Sequence, residues 1–326
     1  MIRTHIVFFI FASYFLTSCN QPFDPRGPLN RKLVVYSILS TDRAQQFVRL
    51  EQSYMPASYD PQANTSDKSV VGALVILRSV NSSYVLRDTA FGRSDTSRYL
   101  FPIRSYVLSP FVPQYGSTYQ IAVRAPEFDS ITATVSIPGK PSFSLDITSV
   151  VILDRPGYSD SSATIVIPMT LGSNTKAFSA RLFVDYEVLK NGAWFDERVE
   201  IPLSFMYTGG EDYNYPIYPS LTVTPAIGRA SGVYRNKMYL ITLANLAWRH
   251  YVDNKIIFNR VVFRLMQFEP NLYKYYKTVH GYDDPHSTRL DDPGYSSIPG
   301  GEGLAGAYTV DSLVHPLPEN FGFNKR

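Results

Sequence analysis

Cys19 is the only cysteine in 326 residues, which excludes an intrachain disulfide and leaves one thiol to be accounted for. After the first twenty positions there is no run of 18 or more uninterrupted apolar residues, so no later segment reads as a spanning helix. Charged residues are sparse, at 18%. With 31 Lys and Arg against 28 Asp and Glu and no basic run, nucleic acid is not an expected partner. The G-x-S-x-G elbow of serine hydrolases and the H-E-x-x-H of zinc proteases are both missing. Neither an internal repeat nor a low-complexity tract occurs.

The first informative feature is the leader. Arg3 gives a positive start, residues 6–16 are almost wholly apolar, and Leu16-Thr17-Ser18-Cys19 follows. The apolar run is about 11 residues, against the roughly 20 that a helix needs to cross a bilayer. This is the pattern of a signal peptide. Leu, two small hydroxyl residues and Cys resemble the lipobox of bacterial lipoproteins. In that family the cysteine thiol receives a diacylglycerol, the chain is cut before it, and the new amine is acylated. The expectation is a signal peptide over 1–18 and a lipidated linker over 19–30, anchored at Cys19. Each buried methylene contributes about 0.8 kcal/mol, and one acyl chain alone holds only marginally. Several chains on one cysteine hold firmly. The Pro- and Gly-rich stretch 20–30 reaches at most about 35–40 Å when extended, so the folded body works close to the membrane.

Hydrophobic residues make up 44% of the chain and aromatics 14%, with 24 Tyr and 20 Phe. That supply suits the half-buried faces of strands, and tyrosine also suits binding surfaces. From residue 31 the texture is strand after strand. Residues 32–39 (KLVVYSIL), 46–52 (QFVRLEQ), 71–77 (VGALVIL), 118–123 and 131–137 (ITATVSI) alternate or form buried-type runs between Pro and Gly turns. Pro138-Gly139-Lys140-Pro141 ends this unit. The expectation is an Ig-like or prealbumin-like β-sandwich over 31–140 and a larger β-rich domain over 141–326 with one C-terminal helix.

In the second half, 143–153 and 163–171 read as strands, and Asn191-Gly192 marks a hairpin. Residues 237–251 fit strand or helix. Residues 256–268 read as a long strand and 270–280 as a helix opened by Pro270. The tail from 283 reads as irregular packing on the sheet.

These parts resemble a family of outer-membrane lipoproteins that carry one domain of unknown function and are often encoded beside TonB-dependent receptors in Gram-negative bacteria. The resemblance rests on the leader, the strand from Lys32 to Tyr36, the strand from Gly72 to Val75, Tyr115-Gly116-Ser117-Thr118-Tyr119, and the Gly-rich segment 298–306 after a Tyr-rich helix. The family usually has Asn where Pro299 stands. The resemblance implies an outer-membrane location and an accessory role, with a TonB-dependent receptor as partner. It brings no catalytic residue.

Three further signals are weighed on their residues. Gly301-Glu302-Gly303-Leu304-Ala305-Gly306 spells G-x-G-x-x-G, but it lacks the strand before and the helix after that a dinucleotide site needs. Tight backbone packing is the expected role, and no cofactor is expected. His280, Asp283, Asp284 and His286 are weak metal-ligand candidates, set against ordinary Asp-Asp-Pro turn chemistry. Asp88-Thr89-Ala90, Asp129-Ser130-Ile131 and Asp311-Ser312-Leu313 resemble periplasmic O-glycosylation sites.

The aromatic loop 211–219 (EDYNYPIYP) offers Tyr213, Tyr215 and Tyr218 as ligand-binding candidates. The expected function is a non-enzymatic, lipid-anchored accessory or ligand-binding component of a TonB-dependent nutrient uptake system. An extracytoplasmic hydrolase and a structural envelope lipoprotein are the alternatives.

Overall fold

The computed structural model describes residues 29–55, 65–97, 99–207, 214–249, 255–280 and 295–324. It divides into two units, 1–31 with 54–64 and 32–53 with 65–326. Of the first, only residues 29–31 and 54–55 are described, and all five are exposed. All that follows belongs to the second.

The first eight strands are β1 (Leu33–Ser40), β2 (Gln46–Gln52), β3 (Leu74–Arg78), β4 (Ser83–Val85), β5 (Arg87–Phe91), β6 (Ile103–Leu108), β7 (Thr118–Arg124) and β8 (Ile131–Ser136). Then come β9 (Ser142–Phe143), helix α1 (Ile147–Asp154), β10 (Thr164–Thr170), β11 (Ala177–Lys190), β12 (Ala193–Glu200), β13 (Ser204–Tyr207), β14 (Asn214–Ile217), β15 (Thr222–Val223) and β16 (Arg229–Arg235). Helix α2 (Asn236–Arg249), β17 (Ile256–Phe268), helix α3 (Pro270–His280) and β18 (Glu302–Pro316) complete the order. The protein is mainly β, as its sequence pattern predicts.

A nine-stranded sheet runs β12-β11-β17-β18-β1-β2-β6-β5, with β15 beside β11. Two smaller sheets, β4-β3-β7-β8 and β16-β10-β9, supply second layers. The first core gathers the inward residues of alternating strands: Leu33, Val35 and Leu39 of β1, Tyr119, Ile121 and Val123 of β7, and Ile131, Ala133 and Val135 of β8. The second core joins Leu182, Val184, Phe263 and Leu265 to Ile165, Ile167 and Tyr234, under Ile152 of α1 and Tyr239 and Leu243 of α2.

β18 links the two. Its Ala305 and Ala307 lie in the first core and its Leu313 packs against the second. Even spacing puts these three side chains on one face of the strand, so both cores lie on the same side of the large sheet. The opposite side is its outer face.

Several expectations change here. The C-terminal tail is not irregular: β18 is 15 residues long, parallel to β1 and antiparallel to β17. Residues 298–307 therefore complete the first core, although the chain passes to the second at 138–141. Three helices occur among the described residues, where one was expected. The β-branched run in 147–152 reads as strand, but the Asp146 carboxylate accepts from Ser149 N–H at 2.6 Å and caps α1. The capping bond satisfies an end donor and selects helix over strand. In α2, Asn236 is buried and its amide donates to the carbonyls of Pro156, Ser159 and Asp160. Tyr239, Leu243 and Leu246 then fall on the buried face. The Asn191-Gly192 turn is as expected: both residues have positive φ, 52° and 80°, which the two-residue hairpin turn between β11 and β12 requires.

Candidate functional site

The outer face of the large sheet carries the described site. On β11 the outward residues are Ser179, Arg181 and Phe183, and on β17 they are Arg264, Met266 and Phe268. Register aligns Ser179 with Met266 and Arg181 with Arg264. Together with Pro219, Ser220 and Leu221 before β15, and Tyr276 of α3, they line a groove of about 330 Å³. Phe268 packs between Tyr276 and Tyr308, with ring centroids 6.3 and 6.4 Å away.

Helix α3 reaches this face because of two residues. Glu269 precedes Pro270 and its carboxylate accepts the N–H groups of Asn271 at 2.8 Å and Leu272 at 2.6 Å. That side chain caps the helix while Pro270 occupies the first turn, where its missing donor costs nothing. Gly306 of β18 then lets the helix close: a Cβ there would stand 3.0 Å from Leu272 Cβ and 3.1 Å from Glu269 Oε1. Glu269 is 2% exposed, and burial pushes its carboxyl up in pKa against the opposing pull of the backbone N–H groups.

The two groove arginines are held by separate carboxylates. Arg181 Nη1 meets Glu200 at 3.3 Å and Arg264 Nη2 meets Asp42 at 3.4 Å. Glu200 has one buried oxygen without a hydrogen-bond partner, and burial raises its pKa although Arg181 opposes the shift. Further along the same sheet Asp185 is bound more closely. Arg198 reaches both its oxygens, at 2.5 and 2.9 Å, and Arg260 adds a third bond at 2.7 Å. Burial raises the Asp185 carboxyl, but these two arginines outweigh it and hold the group below the usual carboxylate range. This second cluster is internally satisfied.

The tyrosine candidates divide. Tyr213 lies outside the described residues. Tyr215 sits on β14, not in an irregular loop, because β13 and β14 pair as a two-stranded ribbon from Ser204 with Ile217 to Tyr207 with Asn214. Tyr215 is 58% exposed, Tyr218 41% and Met206 of the same ribbon 52%. Tyr218 directly precedes Pro219 in the groove lining. The metal candidates Asp283 and Asp284 and His286 lie outside the described residues, as does the side chain of His280 at the end of α3. So does Cys19. No group of three or more His, Cys, Asp or Glu able to hold a metal occurs among the described residues.

The G-x-G-x-x-G is a packing device. Gly303 has φ +110°, and a Cβ there would fall 2.2 Å from the Val35 carbonyl oxygen. A Cβ on Gly301 would meet Leu33 O at 2.8 Å. Of the glycosylation-like sites, Ser130 and Ser312 are exposed and Thr89 is half-buried in β5.

The groove arginines and aromatics were not singled out from the sequence. Alternation across 179–183 (SARLF) marks which side chains leave the core, but only strand register shows that Arg181 faces Arg264.

Comparison with known proteins gives a family and no activity. A family model described as Domain of unknown function (DUF4249) matches residues 20–313. No curated protein matches the chain. Among solved structures, the FN1–FN3 domains of chicken CNTN1 are 10% identical with a TM-score of 0.18, over 87% of this chain and 63% of that one. The C-terminal globular domain of an oligosaccharyltransferase from Pyrococcus abyssi is 11% identical with a TM-score of 0.19, over 72% and 48%. The chain thus spans less than two thirds of either one's length, and at such scores neither likeness bears on arrangement or role. The family match takes in nearly the whole sequence, and the chain belongs to the family of the domain of unknown function DUF4249.

Proposed function

We propose that the protein is a non-enzymatic outer-membrane lipoprotein, anchored through Cys19, that serves as an accessory or ligand-binding component of a TonB-dependent uptake system. The lipobox-like Leu16-Thr17-Ser18-Cys19 supports the anchor. The observation that carries the binding half is the exposure of Tyr215 and of Tyr218, the latter directly before Pro219 of the groove lining. Tyrosine gives an apolar face and a hydroxyl that stays wet, and it loses little entropy on contact. The strand pairing of β13 with β14 limits the freedom that the Tyr215 segment would lose on binding.

The anchor is tested by Cys19→Ala in the native host. The variant should leave the membrane fraction and appear as soluble, unlipidated protein. Retention at the wild-type level would contradict the anchor.

A further inference from the structure

Arg181 and Arg264 are direct register partners on neighbouring antiparallel strands. Like charges in that position repel and weaken the sheet, so the pair is an unusual choice for a surface with only a structural duty. Their counter-ions hold them loosely. Each guanidinium is drawn to its carboxylate through one nitrogen, at 3.3 and 3.4 Å, while Arg198 on the same face grips Asp185 with two. Both groove arginines line the groove together with the apolar side chains of Phe183, Met266 and Phe268 and the hydroxyls of Ser179 and Ser220, and Arg198 lies over the Phe183 ring at 5.5 Å.

We propose that this groove binds a small carboxylate whose apolar body lies against those apolar side chains, as in an acylated amino acid or a peptide end with an apolar last residue. The planar fork of a guanidinium matches the two oxygens of a carboxylate. The volume, about 330 Å³, is at the small end of the roughly 300–1,000 Å³ typical of ligand sites. It admits one anionic head and a ring or short chain, but not a long oligomer. The serine hydroxyls suit the amide that joins the two parts. This assignment rests on the proposed binding role and gives it a ligand class.

The test is calorimetric titration of the full chain with N-acetyl-phenylalanine, its uncharged amide and inorganic phosphate. The acid should bind at least tenfold more tightly than the amide, and phosphate should bind more weakly than the acid. Arg181→Gln and Arg264→Gln should each weaken the acid about tenfold while leaving the binding of the amide unchanged. Phe183→Leu should weaken acid and amide together. Equal binding of acid and amide, no binding of the acid, unaltered affinity in Arg264→Gln, or phosphate binding as tightly as the acid would each overturn the assignment. The anchor at Cys19 does not depend on Arg264. A failed titration beside intact membrane retention would therefore refute the ligand class and leave the anchor standing.

Discussion

At the scale of single residues, the Gly-rich segment separates two uses of glycine. Gly303 is required twice over, by its φ of +110° and by the Val35 carbonyl where a Cβ would fall. Gly300 also has positive φ, +76°, but open space around it. Gly303→Ala should therefore cost about 3 kcal/mol or more of folding stability, because the β1–β18 pairing has to move. Gly300→Ala should cost about 1 kcal/mol, the strain of a left-handed conformation alone. Denaturant unfolding of the two variants checks this, and equal losses would mean that close strand approach is not what Gly303 provides. The sequence made this segment legible as packing because its context lacks the strand and helix of a nucleotide site. What it packs against was not legible, since Val35 is distant in the chain and register alone brings it there.

At the scale of elements, the legible ones carry local signals. Strands β7 and β8 alternate cleanly, and α3 opens on Pro270. β18 was missed because five consecutive residues, Gly303 to Ala307, are buried, so no period-two pattern survives. Its two glycines, Gly303 and Gly306, also read as loop. α1 was missed because its β-branched residues favour strand locally, while its cap and its bonds from Ser149 to Val166 favour helix.

The cap of α3 makes a testable pH signature. Burial raises the Glu269 carboxyl above its unfolded value. The stability it contributes is complete below the ordinary glutamate range and is lost as pH rises through the raised folded value. Glu269→Gln keeps an acceptor for the helix end and removes the titration. The melting temperature of the variant relative to wild type should climb across that window and then level. A difference that stays flat with pH, or falls, would show that Glu269 is not a buried titrating cap.

At the largest scale, the described residues of the second unit form one wide sheet with both second layers on one side, and α3 and the groove on the other. Fold class followed from composition and alternation. The placement of the site did not, because it depends on which strands neighbour one another: Arg181 and Arg264 are 83 positions apart (264 − 181) yet are register partners. Within the β13–β14 ribbon, Phe205 packs against the second core while Tyr215 is exposed.

We propose that the exposed side of the β13–β14 ribbon meets a TonB-dependent receptor at the outer membrane. The most direct measurement places a photo-crosslinking amino acid at position 215, and in a control at Tyr158, which is 92% exposed but lies by α1 at the second core. Both variants are irradiated in intact cells and the adducts identified by mass. The account predicts a receptor adduct from position 215 and none from 158. Receptor adducts of equal yield from both positions, or none from 215 with the protein folded and membrane-bound, would contradict it.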